Sequence, residues 1–132
     1  MRATRRVMEM GPRIVVVKFG EYGSAMYTAE GAFGLPAYPT ADVVDPTGAG
    51  DTFAGGFMGY VAAHADEEIS DELLRRAMAY GTALASFNVE AFGTERMQAL
   101  RADEVTERVS ELQRVTVFDA TGGADTVVIG VQ

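Results

Sequence analysis

The chain has 132 residues and no cysteine, and its 19 acidic side chains outnumber 11 lysines and arginines to leave a formal net charge of −8. That length suits one domain with a real core, while the charge argues against a nucleic-acid or anionic-membrane surface. The missing cysteines exclude disulfides and thiolate metal sites, no apolar run reaches the length of a membrane span, and the arginine-bearing N-terminus has no apolar signal core, so the expected location is the cytoplasm.

In chain order, Arg2 to Met10 reads as the end of a helix that Gly11 and Pro12 close. Ile14-Val15-Val16-Val17 is a continuous β-branched run, the pattern of a parallel strand buried on both faces. Lys18-Phe19-Gly20-Glu21-Tyr22-Gly23 leaves that strand. Ser24 to Thr28 and Gly34 to Thr40 read as two short strands around a turn near Glu30-Gly31, with Pro36 and Pro39 suited to an edge. Tyr22, Tyr27, Phe33 and Tyr38 are read as packing residues.

The most informative stretch is Val43-Val44-Asp45-Pro46-Thr47-Gly48-Ala49-Gly50-Asp51-Thr52-Phe53-Ala54-Gly55-Gly56. Two apolar residues end a strand, a proline and two glycines turn the chain, and an apolar helix begins near Gly50. The first N–H groups of a helix have no intrahelical partner and lie at the positive end of its dipole, which favours an anion. Glycine at 48 and 50 lets backbone come close to such a ligand. Asp51 is the odd member. A carboxylate there repels a phosphate, unless its task is to take a proton from the group that attacks the phosphate. The plainer reading is a partner for the helix dipole.

The helix places Phe53, Phe57 and Val61 at four-residue spacing. Gly55, Gly56 and Gly59 each cost about 1 kcal/mol relative to alanine, which points to close packing or close approach to a substrate. His64 reads as a cap or surface residue. Ser70 with Asp71 and Glu72 starts the next helix, which runs to about Val89 with Leu74, Ala77, Met78, Gly81, Leu84 and Ala85 as its apolar face. Its small residues Gly81, Thr82, Ala83, Ala85 and Ser86 leave room for a flat ligand or for tight helix packing. Asp103 to Leu112 forms a last amphipathic helix with Val105, Val109 and Leu112 inward. Val115 to Phe118 and Thr126 to Val131 read as a hairpin or two strand ends around Thr121-Gly122-Gly123.

The string Asp45-x-Thr47-Gly48-Ala49-Gly50-Asp51-x-Phe53-x-Gly55-Gly56 closely resembles the second signature of the ribokinase-like, or PfkB, family of carbohydrate and nucleoside kinases. It is not a P-loop, since no Lys-Ser/Thr follows the glycines. The resemblance runs from about residue 1 to about residue 114 and covers only the C-terminal half of family members. The chain therefore reads as a fragment, a truncated gene product or one piece of a split protein. Residues 1–132 are expected to form a single partial kinase domain, with residues 115–132 as a tail without family counterpart.

The resemblance implies an α/β fold, the C-terminal part of a doubly wound, mainly parallel sheet. It implies transfer of the γ-phosphoryl of ATP to a hydroxyl of a sugar or nucleoside. Asp51 matches the general base, and Gly48, Ala49 and Gly50 match the anion hole that holds the transferred group. Lys18, Gly20 and Gly23 match a turn near the nucleotide phosphates, although Lys18 equally suits a side chain that snorkels into solvent. Thr47 opens the phosphate turn, while Thr82, Ala85, Ser86, Val89 and Gly93 fall at adenine-site positions. Magnesium arrives with ATP. Asp45 matches the acidic ligand of a monovalent-cation site, K+ among the candidates. A half-sheet with an open edge and apolar face favours a homo-oligomer. The alternative is a nucleotide-binding or structural fragment without turnover of its own.

Overall fold

The computed structural model describes residues 2–118. Helix α1 (Arg2–Glu9) leads into strand β1 (Val15–Lys18), and a single 3-10 turn at Gly20–Tyr22 connects it to β2 (Ser24–Thr28). Strand β3 (Gly31–Leu35) follows, then helices α2 (Ala49–Ala63), α3 (Asp71–Asn88), α4 (Glu95–Ala99) and α5 (Ala102–Thr116). The mixture of helix and strand is the α/β fold the sequence implies.

The three strands form an antiparallel meander in the order β1-β2-β3. The parallel, doubly buried strand expected at 14–17 is thus corrected: β1 pairs antiparallel with β2, and Val15 to Val17 are half-buried. The reason is the connection. A parallel pair needs a crossover of about a dozen residues or more, and the link from Lys18 to Ser24 holds only the 3-10 turn and its flanks. A β-branched run alone does not distinguish the two pairings. The second edge of β1 has no strand partner among the described residues.

Two further boundaries differ. The third strand covers 31–35 rather than 34–40, because Thr28 pairs with Gly31 at once and Pro36 then ends the ladder. Val43 and Val44 form no strand. Both are exposed, and the amides of Val44 and Asp45 donate to one carbonyl, that of Val89, at 2.7 and 3.1 Å. Near the C-terminus, Val115 and Thr116 belong to α5, so the strand expected at 115–118 is absent. The expectations for 121–123 and 126–131 lie outside the described residues.

Val16, Met26 and Phe33 stand opposite one another across the sheet and share its inner face. Met26 joins Leu35, Phe53, Leu74, Met78 and Leu112 in the core, so α2, α3 and α5 all bury residues against the meander. Ser70 caps α3 as expected, its hydroxyl accepting from the Leu73 amide at 3.2 Å. The buried face of α3 is broader than the spacing suggests. It adds Leu73, Ala83 and Phe87, while Leu84 and Ala85 are only half-buried. Helices α2 and α3 pack at very short range. A methyl group on Gly56 would lie 2.7 Å from Leu84 Cδ1, and one on Gly81 would lie 2.8 Å from the Phe53 carbonyl.

Candidate active site

The turn before α2 is built from its own polar groups. Asp45 Oδ1 accepts from the Thr47 amide at 2.9 Å, folding the chain back on itself. This hydrogen bond, helped by the nearby Thr47 side chain, holds the Asp45 carboxyl below the usual carboxylate range. Gly48 then takes φ 81° and ψ −7°, a left-handed conformation that glycine adopts without steric cost. It is the N-cap of α2 and offers no side chain to the orphan amides.

One of the expected anion-hole groups is already engaged. The Ala49 amide donates to the Pro46 carbonyl at 3.2 Å, which removes it from the set. The amides of Gly48, Gly50 and Asp51 have no backbone acceptor among the described residues. The Asp51 carboxylate lies in the first turn of the same helix and is exposed. The arrangement is a helix start that presents three free donors beside a carboxylate.

Lys18 comes to this turn. Its Nζ donates to the Gly50 carbonyl at 2.9 Å, and a methyl group on Gly50 would fall 2.8 Å from that nitrogen. Lys18 therefore lies along the backbone of the first turn instead of extending freely into solvent. Gly20 is exposed on the 3-10 turn. Gly23 has a packing role: a methyl group there would collide with the Leu35 carbonyl.

The small residues of α3 are mostly spent on packing. Thr82 and Ser86 are each 7% exposed, and Gly81 is covered by Phe53. Ser86 Oγ donates to the Ala83 carbonyl at 2.6 Å and accepts from Arg108 at 3.0 Å. The open space expected for a flat ligand at Gly81, Thr82 and Ser86 is thus filled by the protein itself. Ala85 packs on the core, Val89 is half-buried, and Gly93 is exposed.

Two sets of residues escaped the sequence reading. Asn88, only 6% exposed, bonds to Thr47 and Thr52 on either side of the turn. Arg108 of α5 lies 3.4 Å over the Phe87 ring and pairs with Glu90 at 2.6 Å. Arg96 flanks the same ring at 4.7 Å and bridges Glu90 and Glu104. These contacts fix the segment after α3 that bonds to Val44 and Asp45. Asn88 and Arg108 carry no local sequence signal, because their partners lie 18 to 41 residues away in the chain, whereas Arg96 meets Glu90 and Glu104 within eight residues.

The pfkB family carbohydrate kinase model matches residues 1–101, and the chain belongs to that family. It is 39% identical over 87 residues to the nucleoside kinase of Methanothermobacter thermautotrophicus, covering 66% of this chain and 25% of the relative. The Methanocaldococcus jannaschii nucleoside kinase is 33% identical over 97 residues, covering 74% and 30%. Aminoimidazole riboside kinase from Salmonella enterica, in complex with aminoimidazole riboside and an ATP analog, superposes with a TM-score of 0.69 at 31% identity, covering 83% of this chain and 35% of that one. The chain thus spans about a quarter to a third of the proteins it resembles.

Proposed function

We propose that this chain is the nucleotide-binding and catalytic part of an ATP-dependent sugar or nucleoside kinase. The observation that carries the reading is the start of α2, where the free amides of Gly48, Gly50 and Asp51 flank an exposed carboxylate. Phosphoryl transfer asks mainly for positioning and charge stabilisation. The amides hold the charge on the γ-phosphoryl. The acceptor hydroxyl loses its proton to Asp51 as its oxygen bonds to phosphorus, and the bond from phosphorus to the β,γ-bridging oxygen breaks to leave ADP.

Nucleotide would lie against Lys18 to Gly23, the 47–51 turn and the 82–93 segment. Val89 and Gly93 offer the accessible part of that last segment, with Thr82 and Ser86 behind it. Magnesium bound with the nucleotide supplies neutralising charge. Asp45, a carboxylate of the turn whose Oδ1 accepts from the Thr47 amide, would hold a monovalent cation such as K+. The cytoplasm is the proposed location. The edge of β1 that has no strand partner among the described residues and the apolar outer face of α2 support self-association, and a stable monomer by light scattering at high concentration would count against it.

Asp51→Asn in the whole kinase is the decisive test. Nucleotide affinity and fold should persist, while turnover should fall by about 10²–10⁴-fold. A near-normal rate with a lowered melting temperature would leave Asp51 as a helix-dipole partner only. A second reading, a nucleotide-binding fragment without turnover, is favoured by the small share of its relatives that the chain spans. Calorimetric binding of Mg-ADP by this chain, without phosphorylation of any nucleoside, would select it.

A further inference from the structure

Asn88 ends α3 and reaches the phosphate turn from behind. Its Nδ2 donates to the Thr47 carbonyl at 2.8 Å, and its Oδ1 accepts from the Thr52 hydroxyl at 3.0 Å. Thr47 precedes the free amides and Thr52 follows them, so one buried side chain grips the turn on both sides.

The consequence lies in the peptide between Thr47 and Gly48. It is trans, as are the others among the described residues, so its N–H points opposite to its C=O. Asn88 draws the Thr47 carbonyl toward α3 and thereby aims the amide of the exposed Gly48 away from α3. Glycine at 48 makes this orientation easy to lose. A rotation of the 47–48 peptide changes chiefly ψ of Thr47 and φ of Gly48, and glycine tolerates either sign of φ. The rotated peptide would turn an oxygen toward an incoming phosphate where a donor is needed.

We propose that Asn88 is a positioning residue for phosphoryl transfer: it latches the 47–48 peptide so that the Gly48 N–H, not the Thr47 carbonyl, faces the phosphate. The inference rests on the reading of this turn as an anion hole. Asn88 touches no substrate; it acts through the backbone of Thr47 and through Thr52.

The test is a titration of the 15N-labelled chain with tripolyphosphate, followed at the Gly48, Gly50 and Asp51 amides. Asn88→Leu keeps the shape and the neutral charge but loses both hydrogen bonds. Affinity should weaken by about tenfold, the worth of one hydrogen bond to a charged group. The Gly48 amide should stop responding while Gly50 and Asp51 still shift. A merely structural role would lower the melting temperature without separating Gly48 from its neighbours. Unchanged affinity and an unchanged Gly48 response in Asn88→Leu would overturn the inference and leave the anion hole standing. No response at any of the three amides in the unaltered chain would overturn both. Should Asn88→Leu fail to fold, Thr52→Val removes only the second grip. It should weaken the Gly48 response by about threefold, as for a neutral hydrogen bond, and an unaltered response would again refute the latch.

Discussion

On the inner face of α2, Phe53 and Gly56 lie against Gly81 and Leu84 of α3, with no room for an added methyl group. On its outer face, Ala54, Gly55, Met58, Gly59 and Ala62 form an exposed stripe, and nothing lies within 4 Å of a methyl built on Gly55 or Gly59. One helix thus carries glycines that pack and glycines that meet open space. Composition cannot separate them. The inner glycines have their reason within the chain, where loss of a side chain allows close helix contact. The outer ones weaken the helix with no compensation visible among the described residues, and an apolar stripe that starts beside Asp51 is suited to contact with further protein or substrate.

The largest effect should come from Gly81→Ala. The new methyl would press on the Phe53 carbonyl, which belongs to backbone and cannot swing aside. Even after the better helix propensity of alanine, stability should fall by about 1–3 kcal/mol, read as a lower denaturation midpoint. Unchanged stability would mean that the two helices can separate freely. Gly55→Ala should do the reverse in this chain, raising stability by about 1 kcal/mol. In a longer protein that contains this chain, the same change should lower stability or assembly if that face is covered there. A gain in both settings would show that the stripe faces solvent throughout.

The smallest effect concerns acid. Asp45, in the turn, and Glu104, in the first turn of α5, both have depressed pKa values. The cause for Asp45 is the Thr47 amide, and for Glu104 it is the Arg96 guanidinium. A depressed folded-state value contributes stability that is complete above the ordinary values of 3.8 and 4.5 and is lost as pH falls through the lower, folded values. Thermal melts of Arg96→Met should therefore show a shallower acid decline than the parent chain. An identical decline would mean that the half-buried pair is screened and contributes nothing.

Much of the candidate site was legible because its information is local. The turn, the helix start, Gly48 and Asp51 all sit within one short string whose chemistry follows from residue type. What stayed hidden depends on distance along the chain. Asn88 reads as one more polar residue at a helix end until the fold brings it to Thr47 and Thr52. The small residues of α3 suit a ligand or a helix equally, and at Gly81 the fold sets Phe53 against the backbone. The strand at Val15 to Val17 was recognised by its β-branched residues, but its direction of pairing depends on the connection that follows.

The antiparallel meander also bears on how the chain folds. Val15 pairs with Tyr27 and Thr28 with Gly31, so the sheet joins residues near one another in sequence and closes short loops. Contacts of this kind form early, because little loop entropy opposes them. The core that binds Met26 to Leu74, Met78 and Leu112 closes much longer loops. A mutation in the β2–β3 hairpin should therefore slow folding, whereas truncation of Leu112 should chiefly speed unfolding. Stopped-flow rates for Ala32→Gly and Leu112→Ala would show which limb each one moves. Under this order of events the turn before α2 is among the last parts to take shape, since it waits for the end of α3 to arrive.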